Sequence, residues 1–212
     1  MIDPRTLQFA DLHDQNNWNL LTNNDVISLG DVVVDVGACQ GTYLHMFLGI
    51  LGATGKIHAI EMMPHNYQSI EFRFGHFPNI QFHNVAISDK NGVEPMYLAE
   101  GQHEMCGILE HNGTKVGQIS SVTLDELLKD EDEIALIKID VEGAELKVIN
   151  GMKDVMKRTK SLMIECHDDE IWPEIRRILI EENGFSCYNI EKREIITETS
   201  DRAYQCFCRR EG

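Results

Sequence analysis

The chain has 212 residues, enough for one domain with a core of its own. Hydrophobic residues make up 42% of it, which excludes a disordered chain. Lys and Arg number 19 against 35 Asp and Glu, a net charge of −16, and so acidic a chain lacks the cations that hold a phosphate backbone, so no nucleic-acid partner is expected.

Residues 1–30 read as a polar N-terminal arm and 31–212 as a single domain. The opening residues carry no apolar run and no stretch has the length of a membrane span, so a reduced, cytoplasmic protein is expected. The six cysteines include no CxxC pair, and a chain of this size does not need disulfides. From Val32 the chain alternates. Val32 to Val36 is a β-branched run, the mark of a strand buried on both faces. Gly41 to Leu51 predicts a helix closed by Gly52 and Gly55, and Lys56 to Glu61 a second strand. Pro64 suits the first turn of a helix that runs to about Gly75. Asn79 to Ile87 is a third strand, and a turn at 88–92 leads into a short returning strand, Val93 to Leu98.

From Ala99 to Gly117 the pattern breaks down into a long irregular loop holding His103, Glu104, Met105 and Cys106, and a long loop inside a compact domain is expected to serve specificity. Thr123 offers a helix cap. Ile134 to Ile139 is an apolar strand, Glu142 to Arg158 one amphipathic helix, and Leu162 to Glu165 another strand. Trp172-Pro173 opens a helix that ends at Asn183-Gly184. Strands over 185–190 and 204–208 close the chain with no helix between them, so they are expected to be antiparallel and to leave an edge open to a homodimer partner. The outline is an α/β fold, Rossmann-like, with a mostly parallel seven-stranded sheet and a C-terminal antiparallel hairpin.

Three strand ends carry chemistry. Asp35-Val-Gly37-Ala38-Cys39-Gln-Gly41 follows a buried strand and opens a helix, where glycines permit a tight turn and close approach of a ligand. Its spacing is not GxGxxG, which favours a ligand without a pyrophosphate. Glu61 ends the second strand, where a carboxylate can accept both ribose hydroxyls of a nucleoside. Asp140, Glu142 and Glu145 crowd the end of the apolar strand beside Gly143. Glu145 also has a plain role, an acid at the positive end of the next helix.

The stretches Val33-Val-Asp-Val-Gly-Ala38, Ala59-Ile-Glu-Met-Met-Pro64, Asn84-Val-Ala-Ile-Ser-Asp89, Val122-Thr-Leu-Asp125 and Ile137-Lys-Ile-Asp-Val-Glu-Gly-Ala-Glu145 occur in order. Together they resemble the FkbM-type S-adenosylmethionine-dependent methyltransferases, over roughly Asp31 to Gly184. That family usually has Asn where this chain has Cys39. The resemblance implies S-adenosylmethionine as cofactor and methyl transfer, usually to a hydroxyl oxygen. It implies that Asp35, Gly37 and Gly41, with Ala38, lie at the methionine part, that Glu61 and Met62 lie at the ribose, and that Ala86, with Ser88 or Asp89 nearby, borders the adenine. Asp140 and Glu142 would face the methionine end and the acceptor.

The acceptor expected is a small molecule, sugar or lipid with a hydroxyl group. Asp140, Glu142 and His167 are the candidate catalytic residues, with Glu142 or His167 taking the acceptor proton. Asp140, Glu165, His167 and Asp168 are donors of a kind that divalent metals accept, but nothing in their spacing marks a metal site and none is assigned. Two other readings stand beside this one: an NAD-dependent oxidoreductase, and a methyltransferase-like fold that binds a partner without catalysis.

Overall fold

The computed structural model describes residues 20–22, 26–99, 106–110, 113–197, 200 and 203–210. Most of the expected arm, and His103, Glu104 and Met105 of the expected specificity loop, lie outside the described residues. Three residues from the end of the arm, Leu21, Val26 and Ile27, are buried against the domain.

The alternating runs become the strands β1 Val32–Val36, β2 Lys56–Ile60, β3 Ile80–His83, β8 Ile134–Ile139 and β9 Thr159–Glu165. All are parallel, paired β3-β2-β1-β8-β9. Every residue of β8 is buried, because helices cover both faces of a parallel sheet. On one face pack α1 Thr42–Leu51 and α2 Pro64–Phe74, through Leu44, Phe47, Ile70 and Phe74. On the other pack α3 Leu124–Leu127, α4 Glu145–Asn150, α5 Lys153–Lys157 and α6 Trp172–Arg177. Val33 faces the first core while Val34 and Val36 face the second, and each such buried side chain contributes about 1.5–3 kcal/mol.

β12 Gln205–Arg210 runs antiparallel between β9 and β10 Phe185–Asn189, which is the expected hairpin. The sheet has eight strands rather than seven among the described residues, because the two-residue strand β11 Glu194–Ile195 adds to the far side of β10. β12 is therefore paired along both sides, while β11 pairs with β10 only at Tyr188 and Asn189.

The single helix expected over 142–158 is two. A Cβ at Gly151 would run into the Ser88 carbonyl, so the chain needs a glycine there, and glycine weakens a helix. Asp125 completes the break. Its backbone N–H donates to the Gly151 carbonyl at 3.0 Å, and its Oδ1 accepts the N–H groups of Asp154 and Val155 at 2.9 and 2.7 Å, capping α5 from outside. Thr123 caps α3 as expected, accepting from the Glu126 N–H at 3.2 Å.

The stretch expected to be irregular contributes one short strand and the start of a long one to a second sheet, which also takes in the expected returning strand. β7 Thr114–Val122 runs antiparallel to β5 Gly92–Leu98, with β6 Cys106–Gly107 and β4 Ala86–Ile87 at the edges. Much of β7 is exposed, so it lacks the apolar signal of a core strand, and Gly113 and Gly117 read as loop.

Cys187 and Cys208 face each other across β10 and β12 and form a disulfide, contrary to the expectation of wholly reduced cysteines. Their spacing of 21 residues carries no motif, and strand register alone makes them neighbours. Protein purified without reductant should release four titratable thiols when denatured, from Cys39, Cys106, Cys166 and Cys206, and six after reduction.

His58 of β2 and His83 of β3 stack at 5.3 Å. One tautomer serves the whole chain of contacts: His83 Nε2 donates to His58 Nδ1 at 3.1 Å, and His58 Nε2 donates to Glu131 at 3.0 Å. Burial pushes both imidazoles down from the ordinary 6.5, and burial together with neighbouring His58 takes His83 to about 4. The unfolded chain therefore binds more protons at these two histidines than the native one between these values, so the pair's contribution to stability is full above pH 6.5 and falls as pH drops toward 4. Urea unfolding at stepped pH should show that fall, and His83→Gln should flatten it.

Candidate active site

A cleft of about 270 Å³ opens at the carboxyl ends of β1, β2 and β8, the position ligands take in open α/β sheets. Gly37, Glu61, Met62, Ala86, Asp140 and Glu142 line it. Val85, Ile87, Ile108 and Ala144 supply an apolar wall, and Cys39 and Cys106 complete it. The thiol of Cys106 is pushed up, chiefly by burial.

Glu61 sits at the end of β2 and is only 3% exposed. Its Oε2 accepts the Cys39 N–H at 2.8 Å and its Oε1 the Met63 N–H at 2.7 Å. One lone-pair site on each oxygen is left for a second donor, which suits a vicinal diol. Burial raises its pKa above the usual carboxylate range, and the two backbone donors oppose that shift. Asn84 fixes the turn behind it, donating to the carbonyls of Glu61 and Met62 at 2.8 and 3.1 Å.

Asp35, Ala38 and Gly41 do not line the cleft. Gly41 packs beneath Phe74 and Ile70, and Ala38 lies in the core with α1 and α2. Ser88 is buried too, with its hydroxyl donating to Glu94 at 2.8 Å. Asp35 is wholly buried, and neither of its oxygens has a hydrogen-bond partner. It is held by charge: the Lys138 ammonium lies 3.2 Å from its Oδ1. Burial pushes the Asp35 carboxyl up, and Lys138 pulls it back.

Lys138 is the functional residue that sequence reasoning missed. It lies in the middle of an apolar strand, where a buried lysine needs partners, and that was the available signal. Its Nζ donates to the Gly37 carbonyl at 2.9 Å and lies 3.3 Å from Asp140 Oδ2. The Tyr43 ring sits 5.0 Å from the ammonium. Burial alone would lower its pKa, but Asp35 and Asp140 outweigh that and hold it as a cation.

The β8 end also carries the candidate catalytic groups. Glu142 adopts a left-handed φ of 55°, an uncommon state for a side-chain-bearing residue. Its carboxyl is raised, first by burial, with His167 opposing. His167 follows β9 and stands outside the cleft lining, 3.8 Å from Asp140 and 3.7 Å from Glu142. Its Nδ1 meets Glu145 Oε1 at 2.9 Å. Burial opposes protonation, but Glu145, Glu165 and Glu142 raise His167 to about 10. Glu165 is lowered to about 2 against the effect of burial, by His167, Tyr204 and Gln205. Glu145, doubtful from sequence, is wholly buried and also accepts the Gly143 N–H at 3.0 Å.

A parallel sheet with this strand order, an acid at the end of β2 and a carboxylate-lined mouth at β8 define a Rossmann-like methyltransferase. The carboxylates at the mouth would repel a pyrophosphate, which argues against the dinucleotide reading. The sequence matches the Methyltransferase FkbM domain over residues 35–187, and the chain belongs to that family. It is 23% identical over 193 residues to the 2-O-methyltransferase NoeI of Sinorhizobium fredii, covering 81% of this chain and 79% of that one. The fold is similar to that of a Methyltransferase FkbM from Methylobacillus flagellatus KT, with a TM-score of 0.56 and 17% identity, over 86% of this chain and 44% of that one. It is also similar to Aeropyrum pernix fibrillarin, solved with natively bound S-adenosyl-L-methionine, with a TM-score of 0.52 and 11% identity, over 92% of this chain and 73% of that one. The protein is a methyltransferase.

The turn separates two kinds of substitution. A Cβ at Gly37, where φ is 85°, would run into the Asp140 carbonyl, so Gly37→Ala should unfold at lower urea and lose S-adenosylmethionine binding. Cys39 has a left-handed φ of 45°, which Asn tolerates better than Cys. Cys39→Asn should keep binding and leave stability equal or raised by roughly 1 kcal/mol or less. Calorimetry and urea unfolding on both variants check this.

Proposed function

We propose that the protein transfers a methyl group to a hydroxyl oxygen of a small molecule, sugar or lipid, with Glu142 as the base that takes the acceptor proton. The observation that carries this reading is one cleft lined by Glu61, Asp140 and Glu142 together. S-adenosylmethionine supplies, when bound, a methyl group on a positively charged sulfur.

The residues present suit it. Glu61 takes the ribose hydroxyls, and Met62, Ala86 and Ile108 offer apolar surface to a flat base. Asp140 sets negative charge where the cofactor carries positive charge. Asp35 acts through Lys138, which ties the Gly37 carbonyl to Asp140. The acceptor oxygen approaches the methyl carbon in line, and positioning supplies most of the barrier reduction. As the new C–O bond forms, the methyl–sulfur bond breaks with its electron pair remaining on sulfur, and the hydroxyl proton passes to Glu142.

Glu142 is preferred to His167 on geometry. Glu142 lines the cleft, while His167 stands outside its lining with Nδ1 committed to Glu145. His167 is then a positioning residue for Asp140 and Glu142. The hydroxyl acceptor is supported by the relative named as a 2-O-methyltransferase. The acidic balance favours a small acceptor over a nucleic acid. No helix among the described residues is long and apolar enough to cross a membrane, and the cytoplasm is the compartment this reading favours.

Calorimetric titration tests the cofactor site. Glu61→Gln should weaken S-adenosylmethionine at least tenfold, and NAD should not bind. Glu142→Gln should keep cofactor affinity and lower kcat by about 10²- to 10⁴-fold on a hydroxyl acceptor. Cofactor binding without methyl transfer to any screened hydroxyl would favour the partner-binding reading instead.

A further inference from the structure

We propose that Asp140, Glu165 and His167 form a divalent-cation site beside the mouth of the cleft, suited to Mg²⁺ or Mn²⁺. Its use in methyl transfer rests on the function proposed above, but its existence does not. One donor atom from each residue lies within 4.8 Å of the other two. His167 Nε2 stands 3.5 Å from Glu165 Oε1 and 3.8 Å from Asp140 Oδ1, with Glu142 Oε2 at 3.7 Å. These separations are at or beyond hydrogen-bond length. Two ligands bonded to one ion at about 2.1 Å sit roughly 3–3.5 Å apart, so a small inward turn of each side chain closes the shell.

A second observation comes from outside the three ligands. Glu145 has no exposed surface and is turned onto the cluster. Its Oε1 meets His167 Nδ1 at 2.9 Å, and its Oε2, equally buried, has no hydrogen-bond partner. A carboxylate on one imidazole nitrogen is the arrangement that orients a metal-ligating histidine, here with Nε2 toward Asp140, Glu142 and Glu165. Glu165 is aimed as well: its Oε2 accepts from Gln205 Nε2 at 3.0 Å, which leaves Oε1 toward the imidazole.

Charge points the same way. Asp35, Asp140, Glu142, Glu145 and Glu165 share this corner with the Lys138 ammonium, and His167 gives up the Nε2 proton when an ion takes its place among the carboxylates. Excess negative charge away from water is costly, and a divalent cation offsets it. Two carboxylates and one imidazole are hard to borderline donors, which suits Mg²⁺ or Mn²⁺ better than a thiophilic metal. An ion there can bind the acceptor hydroxyl and make its proton easier to remove.

The test uses chelator-stripped protein titrated with Mn²⁺ alone, followed by the paramagnetic resonance signal of unbound Mn²⁺. The expected result is one Mn²⁺ per chain at micromolar Kd, displaced by excess Mg²⁺. Glu165→Gln, which can keep the contact with Gln205, should weaken it at least tenfold. His167→Asn should do the same, with circular dichroism confirming that both variants fold. No binding below millimolar Mn²⁺, or equal affinity in wild type and folded Glu165→Gln, overturns the site. S-adenosylmethionine titrated into the same metal-free samples separates the two proposals. Its failure to bind would strike the proposed function, while loss of Mn²⁺ alone strikes the cation site.

Discussion

The ammonium of Lys138 is the constraint on which the active-site end depends. It sits between Asp35 on β1 and Asp140 beyond β8 and holds the Gly37 carbonyl. A charge so deep costs several kcal/mol to desolvate, and only its partners offset that cost. Take one partner away and an unmatched charge is left in the core, at about 3–5 kcal/mol. The ends of two neighbouring strands are thereby locked in one relation. The glycine turn can approach the β8 end this closely because Gly37 has no Cβ to meet the Asp140 carbonyl. Glu61 then secures the other side of the same turn through the Cys39 N–H.

From that lock the cleft follows in layers. Buried strands place their carboxyl ends along one line, and the residues just beyond those ends become its wall. Asp140 serves both sides of the lock, with one oxygen toward Lys138 and the other toward His167. The interior of the fold is thus electrostatically continuous with its reactive surface. Strained backbone collects at the same place. Cys39 and Glu142, two of the three side-chain-bearing residues with left-handed φ among the described residues, both line the cleft, at a cost of about 1–3 kcal/mol each, sustained where the surrounding contacts over-determine the geometry.

The motifs of the family do two different jobs. Glu61, Asp140 and Glu142 meet the cleft. Asp35, Gly41 and Asp125 do not; they hold Lys138, pack beneath Phe74 and cap α5. A motif read from sequence cannot separate these jobs, because a buried carboxylate that fixes a lysine and an open one that meets a ligand look the same in a string of letters. The second sheet was obscured for a related reason. Its nine-residue strand β7 is largely exposed, so it carries little of the apolar periodicity that betrays a core strand.

The sequence by itself determined the parallel core, the order of its strands along the chain, the closing antiparallel pair, the carboxylates at three strand ends and the family. Those features are local. They are β-branched runs, glycines and acids at strand termini, and caps such as Thr123, each legible within a few residues. Tertiary structure decided what depends on register and depth. It brought His167 onto Glu145 across 22 residues, and Lys138 beneath Gly37 across 101. It set Cys187 opposite Cys208 and gathered Asp140, Glu165 and His167 around one point. No spacing rule encodes such meetings, because they depend on how whole strands pair and on where a buried charge finds its partner.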